Sequence, residues 1–168
     1  MILKKLALVS FLLLLFLFLA CGKGADKKNP EMPFEFSLPD LNGKIHSLKE
    51  FKGKIVLLNF WATWCPSCKE DIANLLLTYR QYKDYGLEVV GISLDKKGLG
   101  VVDSFVKELN IPYTILLGDE TVVKNYGGFK GVPTTFLLDK DGRIVKRYSG
   151  QINQETLRAD LKVWFGKY

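Results

Sequence analysis

A run of almost uninterrupted apolar residues at positions 54–61 is the feature that most restricts how this chain can fold. The run has the length of a strand and shows no alternation, which is typical of a strand covered on both faces of a sheet. Cys65 and Cys68 follow shortly after it. Pro66 suits the first turn of a helix, and apolar residues then recur at helical spacing to about residue 84. We therefore predict a buried central strand that leads into a helix, with the two cysteines at the junction.

Strand and helix patterns alternate along the rest of the chain. Two extended segments, 34–38 and 44–48, flank a turn at 40–43 and predict a hairpin before the central strand. Further strands are predicted at 87–94, 113–117, 134–138 and 143–148. Further helices are predicted at 101–109, 120–125 and 155–165. This order predicts the α/β class, with a mixed central β-sheet flanked by helices and an N-terminal β-hairpin extension.

The N-terminus carries the pattern of an export signal. Lys4 and Lys5 precede an apolar stretch at 6–20, which lies at the upper end of the lengths found in signal peptides. The stretch is short for a membrane-spanning helix, which needs about 20 apolar residues. Residues 18–21, Phe-Leu-Ala-Cys, resemble the lipobox of bacterial lipoproteins. That resemblance implies that Cys21 receives a lipid and becomes the mature N-terminus.

Three segments are therefore expected: a signal peptide at 1–20, a lipid-anchored tether at 21–29 and one domain at 30–168. The tether is polar and rich in glycine and lysine, which is typical of a flexible linker. An uncleaved signal anchor and a soluble secreted protein are the alternatives, and all three place the domain outside the cytoplasm. The expected location is membrane-anchored, in the bacterial periplasm or on the outer face of the cytoplasmic membrane.

Composition fits one globular domain and no nucleic-acid partner. The chain has 168 residues, 48% of them hydrophobic and 25% charged, as in ordinary soluble domains. Its net charge of +6 includes Lys4 and Lys5 of the leader, so the surplus on the domain is small. Basic and acidic residues alternate without a basic block or interleaved aromatic residues, and we therefore expect no nucleic-acid binding.

The cysteine count indicates redox chemistry. The chain has three cysteines, so lipidation of Cys21 would leave only Cys65 and Cys68 as thiols. A disulfide that closes so small a loop restricts the unfolded chain little, which argues against a purely stabilising role. A zinc site needs about four ligands, but there is no second cysteine pair and His46 is the only histidine. We therefore expect no metal site, and we expect His46 to be a surface residue of the hairpin. No cofactor is expected beyond the Cys65–Cys68 disulfide.

The position of each cysteine predicts its role. Exposed N–H groups and the dipole at a helix N-terminus favour a thiolate, so Cys65 is expected to be the attacking nucleophile. Cys68 lies one helical turn later, where its attack on a mixed disulfide is intramolecular. Cys68 is therefore the expected resolving thiol.

Two segments carry a resemblance to a known family. Residues 59–68, Asn-Phe-Trp-Ala-Thr-Trp-Cys-Pro-Ser-Cys, resemble the active-site segment of thioredoxin-fold proteins, and residues 131–136, Gly-Val-Pro-Thr-Thr-Phe, resemble their cis-proline loop. With the hairpin, an insertion after Leu94 and the lipobox, residues 30–168 resemble the TlpA/ResA-like extracytoplasmic thiol-disulfide oxidoreductases. The resemblance implies a thioredoxin-like fold.

The resemblance also implies how a substrate is held. Pro133 would be cis and packed beside the cysteines, although an ordinary proline at the start of a strand is the alternative. The backbone of Val132 would then face the cleft and pair with an extended substrate segment by strand addition. Trp64 and Pro66 are the other expected substrate contacts, and Trp61 and Trp64 are expected to form apolar walls around the disulfide.

Asn59 stands where thioredoxin carries a buried aspartate, and an amide cannot accept the proton that Cys68 must lose. Asp71 follows Cys68 by three residues, at a position where ResA-like proteins carry a glutamate proposed to handle this proton. Asp71 is therefore the expected catalytic carboxylate. Glu70 is a competing candidate, and a solvated charge on the helix surface is the alternative for Asp71.

The resemblance implies thiol-disulfide exchange with protein disulfides, with the chain as the reductant and a membrane thiol donor as its electron source. Apocytochrome c during haem attachment is a candidate substrate. The Pro66-Ser67 spacer does not set the direction of exchange, because potentials of such pairs span about −270 to −120 mV.

Two other functions are weighed against exchange. A peroxiredoxin-like peroxidase would carry a Pro-x-x-x-Thr-x-x-Cys motif, but Leu58 and Ala62 occupy its proline and threonine positions. A non-enzymatic copper-delivery module of the SCO-like kind would have a three-residue spacer and a late histidine, whereas this chain has a two-residue spacer and an early His46.

Overall fold

The computed structural model describes residues 35–96 and 98–166. The predicted signal peptide, the tether and Cys21 lie outside the described residues. No helix in the described part of the chain is long and apolar enough to cross a membrane.

A five-stranded mixed sheet forms the centre of the fold. The strands are β1 (Ser37–Pro39) and β2 (Ile45–Ser47) in a separate hairpin, then β3 (Ile55–Trp61), β4 (Leu87–Ser93), β5 (Thr114–Leu117), β6 (Thr134–Leu138) and β7 (Ile144–Ser149) in the sheet. The spatial order in the sheet is β5-β4-β3-β6-β7. β3 is parallel to β4 and antiparallel to β6. The prediction of a mixed sheet with an N-terminal hairpin is confirmed.

The apolar run 54–61 forms the central strand because each of its faces is covered. Ile55, Leu57 and Trp61 pack into one cluster, and Leu58 and Phe60 pack into another. Every residue of β3 is buried. A strand between two apolar layers needs no polar alternation, which explains the unbroken pattern in the sequence.

Within residues 35–96 and 98–166, four α-helices cover the two faces of the sheet. They are α1 (Pro66–Tyr82), α2 (Leu99–Glu108), α3 (Glu120–Asn125) and α4 (Gln154–Phe165). Ile72 of α1, Val102 of α2 and Leu157 of α4 share the cluster of Ile55 and the cysteines. Val122 of α3 packs on the opposite face, together with the hairpin residues Phe36 and Leu38 and the 3-10 turn Leu48–Phe51.

The hairpin is shorter than predicted, because polar side chains shape both ends of its second segment. Asp40 Oδ1 accepts the N–H groups of Asn42 and Lys44 at 2.8 and 2.9 Å, which closes the turn. Glu50 accepts the N–H of Ser47 at 2.9 Å where the 3-10 turn begins. Leu48, predicted as a strand residue, therefore lies in that turn.

α1 ends slightly earlier than predicted. The helix reaches Tyr82, and a 3-10 turn at Lys83–Tyr85 follows. Gly86 then adopts φ +99°, a conformation that glycine reaches without steric cost. The chain can therefore turn at once into β4.

Candidate active site

The redox pair lies where β3 leads into α1. Cys65 caps the helix with an extended backbone, and Pro66 is the first helical residue. Cys65 and Cys68 are joined by a disulfide, with their Cα atoms 5.2 Å apart. The sequence predicted this junction, and the structure confirms it.

The two sulfurs differ in their surroundings. Cys65 is 5% exposed and Cys68 is fully buried, so an incoming group reaches Cys65 first. The N–H of Cys68 donates to Cys65 Sγ at 3.2 Å, and the hydroxyl of Ser67 lies 3.4 Å from the same sulfur. These polar hydrogens would stabilise a thiolate on Cys65 in the reduced protein.

The cis-proline loop lies directly against Cys65. The Val132–Pro133 peptide bond is cis, as the resemblance implied. The carbonyl oxygen of Val132 is 3.6 Å from Cys65 Sγ. Two contacts fix the loop: Gly150 N–H donates to the carbonyl of Pro133 at 2.9 Å, and Thr134 Oγ1 donates to the carbonyl of Gly131 at 2.8 Å. Among the described residues, no partner takes the N–H of Val132.

The two tryptophans near the cysteines occupy different environments. Trp61 is fully buried in the cluster that contains both cysteines, and it stacks on Phe105 of α2 with ring centroids 5.1 Å apart. Trp64 is 68% exposed, and Pro66 is exposed as well. Trp61 therefore forms an inner wall, as predicted, whereas Trp64 and Pro66 are open to an incoming chain.

Asp71 is buried inside the protein rather than solvated. Its Oδ1 accepts the N–H of Ile152 at 2.9 Å, and its Oδ2 accepts Asn59 Nδ2 at 3.3 Å. Asn59 also donates to Thr135 Oγ1 at 2.8 Å. Burial raises the pKa of the Asp71 carboxyl to about 6, although the Ile152 N–H opposes this shift.

Burial distinguishes the two candidate carboxylates of α1, Asp71 and Glu70. Asp71 is fully buried, so the alternative of a solvated charge on the helix surface is wrong. Glu70 is exposed and lies on another side of the helix. Asp71 is thus the carboxyl of α1 that shares the buried side of the helix with Cys68.

Asp95 is a site residue that the sequence analysis missed. It follows β4, and its carboxylate accepts both the N–H and the hydroxyl of Thr63, at 2.9 and 2.6 Å. The hydroxyl of Ser93 donates to it at 2.9 Å. Asp95 therefore holds the loop between Trp61 and Cys65. The sequence did contain a signal for Asp95, which is a polar residue just after a buried strand. The carboxyl ends of parallel strands meet at one edge of a sheet, so such a residue can be expected near the cysteines that follow β3.

His46 lies in the hairpin, half-buried between two carboxylates. Its Nδ1 is 2.9 Å from Glu50 and its Nε2 is 3.3 Å from Asp40. Both ring nitrogens thus have carboxylate partners within the hairpin and the turn that follows it. No described contact joins His46 to the cysteines, and the site needs no role for it.

The geometry suits disulfide exchange. Cys65, the more exposed sulfur, lies at a helix N-terminus, and the buried Cys68 follows one turn later. The backbone of Val132 lies against Cys65, and its N–H has no partner among the described residues. Such a site can receive an extended chain and resolve a mixed disulfide. A buried carboxyl of raised pKa lies on the same side of α1 as the second sulfur.

Comparisons with known proteins agree with this geometry. The model of the AhpC/TSA family matches residues 30–147. A protein named thiol-disulfide oxidoreductase ResA from Bacillus thuringiensis is 40% identical over 129 residues, covering 76% of this chain and 73% of that protein. The ResA of Bacillus subtilis is 31% identical over 136 residues, covering 81% and 75%.

Solved structures show the same fold. A thiol:disulfide interchange protein of the thioredoxin family from Chlorobium tepidum has a TM-score of 0.73 at 26% identity, covering 82% of this chain and 98% of that one. StoA from Bacillus subtilis has a TM-score of 0.64 at 28% identity, covering 77% and 98%. The fold is therefore thioredoxin-like, and neither the peroxidase nor the copper-delivery alternative is favoured. The chain belongs to the AhpC/TSA family and, within it, to the ResA-like thiol-disulfide oxidoreductases.

Proposed function

We propose that this protein reduces disulfides of other proteins outside the cytoplasm, from a position anchored to a membrane through Cys21. The observation that carries the proposal is the placement of Cys65, the more exposed sulfur of the pair, against the backbone of Val132, with Asp71 buried on the side of Cys68. The N–H of Val132 has no partner among the described residues. The disulfide pair itself is the only redox group that this chemistry requires.

The reaction begins when the Cys65 thiolate attacks one sulfur of the substrate disulfide. A Cys65–substrate disulfide forms, and the first substrate sulfur leaves as a thiolate. An extended substrate segment is held during this step by pairing with the backbone of Val132 and by contacts with Trp64, Pro66 and Pro133. The exposure of Trp64 and Pro66 supports that role.

The second step resolves the mixed disulfide. Cys68 loses its proton and attacks Cys65 Sγ, which forms the Cys65–Cys68 disulfide and releases the second substrate thiolate. Two electrons thus pass from the pair to the substrate. The Asp71 carboxylate takes the proton of Cys68, and its raised pKa of about 6 brings its basicity closer to that of a thiol. A membrane thiol donor then reduces the pair again.

The sequence supports the proposed location. The apolar segment 6–20, the lipobox at 18–21 and the polar residues 22–29 would direct export, anchor Cys21 and tether a domain at 30–168. The proposed substrates are protein disulfides at the membrane surface, with apocytochrome c as a candidate. Mass spectrometry of the membrane fraction should find Cys21 as a lipid-modified N-terminus; an intact leader would contradict the lipid anchor.

Trapping tests the exchange reaction. Cys68→Ser should accumulate a mixed disulfide between Cys65 and a disulfide-containing protein, because the resolving thiol is missing. Cys65→Ser should accumulate none, since Cys68, the remaining cysteine of the pair, is buried and Cys21 carries the proposed lipid. Equal trapping by both variants, or faster turnover of peroxide than of protein disulfides by the unaltered protein, would overturn the proposal.

A further inference from the structure

A groove borders the cis-proline loop. It has a volume of about 470 Å³ and is lined by residues 130–134 with Arg147, Ser149 and Gly150. Val132 belongs both to this groove and to the contact with Cys65 Sγ. A chain that pairs with Val132 while its disulfide meets Cys65 would therefore extend towards the groove.

The charges of the groove have one sign. Lys130 and Arg147 line it, and none of the described residues that line it is acidic. Neither cation forms an ion pair or a hydrogen bond with a carboxylate in residues 35–96 and 98–166. Both side chains are exposed and free to meet an anionic group from outside.

Aromatic contacts hold Arg147 in place. Its Cζ lies 5.8 Å from the ring centroid of Phe129 and 5.7 Å from that of Phe136. Both rings are buried, so the guanidinium rests on a rigid surface. A guanidinium that stacks on rings keeps its planar set of N–H donors for a carboxylate.

Lys130 lies close to the point of substrate pairing. It precedes Val132 by two residues, so its Cα is within about 7 Å of the Val132 Cα. Successive residues of an extended substrate advance by about 3.3 Å. Side chains two to four residues from the attacked cysteine would therefore come opposite the cations.

We propose that the groove of Lys130 and Arg147 selects substrates with an acidic side chain two to four residues from the attacked cysteine, within an extended segment. The partner is thus an acidic protein segment, held by backbone pairing at Val132 and by charge at the groove. This inference rests on the proposed function, since it concerns the substrate of the same site.

The test uses the full-length protein in detergent, with its pair reduced. Three peptides contain the same disulfide and differ only in a Glu, Gln or Lys within two to four residues of the attacked cysteine, on either side. Rate constants of reduction are compared at low salt. The Glu peptide should react about two- to five-fold faster than the Gln peptide for each cation engaged, as expected of exposed ion pairs. The Lys peptide should be the slowest, and 1 M salt should remove the differences.

Variants assign the preference to the groove. Lys130→Gln and Arg147→Gln should each reduce the ratio of the Glu rate to the Gln rate, and Arg147→Lys should restore part of it. Lys140→Gln is the matched control, because Lys140 is an exposed cation at the opposite end of the β6–β7 hairpin. The control should leave the ratio unchanged.

Failure of the inference is distinguishable from failure of the proposed function. Equal rates for all three peptides, or an acid preference that survives both groove substitutions, would overturn the inference while exchange itself stands. Reduced binding of the variants to anionic vesicles, without any change in the peptide ratio, would assign the cations to a membrane surface and overturn it as well. Absence of reduction with the Gln peptide would contradict the proposed function.

Discussion

Asp71 is a carboxyl group whose burial has opposite effects on stability and on chemistry. In the folded protein its pKa is raised from 3.8 to about 6, so folding favours the protonated form. The contribution of this group to the free energy of unfolding is therefore greatest below about pH 3.8 and is lost as the pH rises through about 6. At neutral pH the ionised carboxylate lowers the stability of the fold.

Replacement of Asp71 by asparagine should raise stability at neutral pH. The new amide oxygen can still accept the N–H of Ile152. Its amino group would replace Oδ2, which now accepts from Asn59 Nδ2, so the Asn59 amide must turn and present its Oδ1, which has no hydrogen-bond partner among the described residues. We expect Asp71→Asn to exceed the unaltered protein in free energy of unfolding by about 1–3 kcal/mol at pH 7.5. Urea titrations at several pH values measure this difference, which should shrink towards pH 4. A variant that is less stable at pH 7.5 would contradict the assigned environment.

The same substitution should slow the resolution step. Without a carboxylate, Cys68 must lose its proton to water, and we expect a rate lower by about 10²-fold, as for loss of a general base. Rapid-mixing measurements of mixed-disulfide decay give this rate. In the unaltered protein the rate should rise as the pH passes through about 6, whereas Asp71→Asn should lack that rise.

Glu70→Gln is the matched control for the rate experiment, because Glu70 is the exposed neighbour of Asp71. It should resolve the mixed disulfide at the rate of the unaltered protein. If the two variants were equally slow, the proton would not be assigned to the buried carboxyl.

At the scale of elements, β4 supports the redox junction through a close approach at Gly91. A Cβ at this position would lie 2.7 Å from Ile115 Cδ1 and 2.9 Å from Trp61 Nε1. Both neighbours are buried and have little room to move. Trp61 is the last residue of β3 and packs in the cluster of both cysteines.

Gly91→Ala should therefore destabilise the protein by about 1–3 kcal/mol, as expected when a methyl group is forced into a packed core. Denaturant unfolding measures the loss. Gly100→Ala in α2 is the matched control, because no atom lies within 4 Å of its added Cβ; it should keep or slightly raise stability. Equal stability of the two variants would show that the backbone of β4 at Gly91 is not tightly packed against Trp61.

Local sequence patterns predicted the elements far better than the contacts between them. The run that became β3 and the Cys65–Pro66 junction were predictable because each depends on a few neighbouring residues. Asp95 was missed because its partner, Thr63, is 32 residues away. The contact between Asp71 and the N–H of Ile152 spans 81 residues, and no local pattern encodes it. The sequence was sufficient to select Asp71 as the candidate carboxylate, but it did not predict that Asp71 is buried.

At the scale of the whole molecule, the sheet places all parts of the site at one end. Cys65 follows the end of β3, and Asp95 follows the end of β4. Val132 and Pro133 lie in the loop just before β6. Of the two sulfurs of the pair, that of Cys65 is the more exposed, so the described part of the chain presents one reactive atom of the pair beside the backbone of Val132. This arrangement suits repeated exchange with larger proteins, and its direction depends on the reduction potential of the pair.

The reduction potential of the Cys65–Cys68 pair in the full-length protein in detergent tests the central claim most directly. Equilibration with glutathione or dithiothreitol redox buffers, followed by trapping of free thiols, gives the value. A protein disulfide reductant should have a potential below about −230 mV, near those of thioredoxin and the more reducing glutaredoxins. A potential of about −180 to −120 mV would instead indicate an oxidase or isomerase and would contradict the proposed reductase.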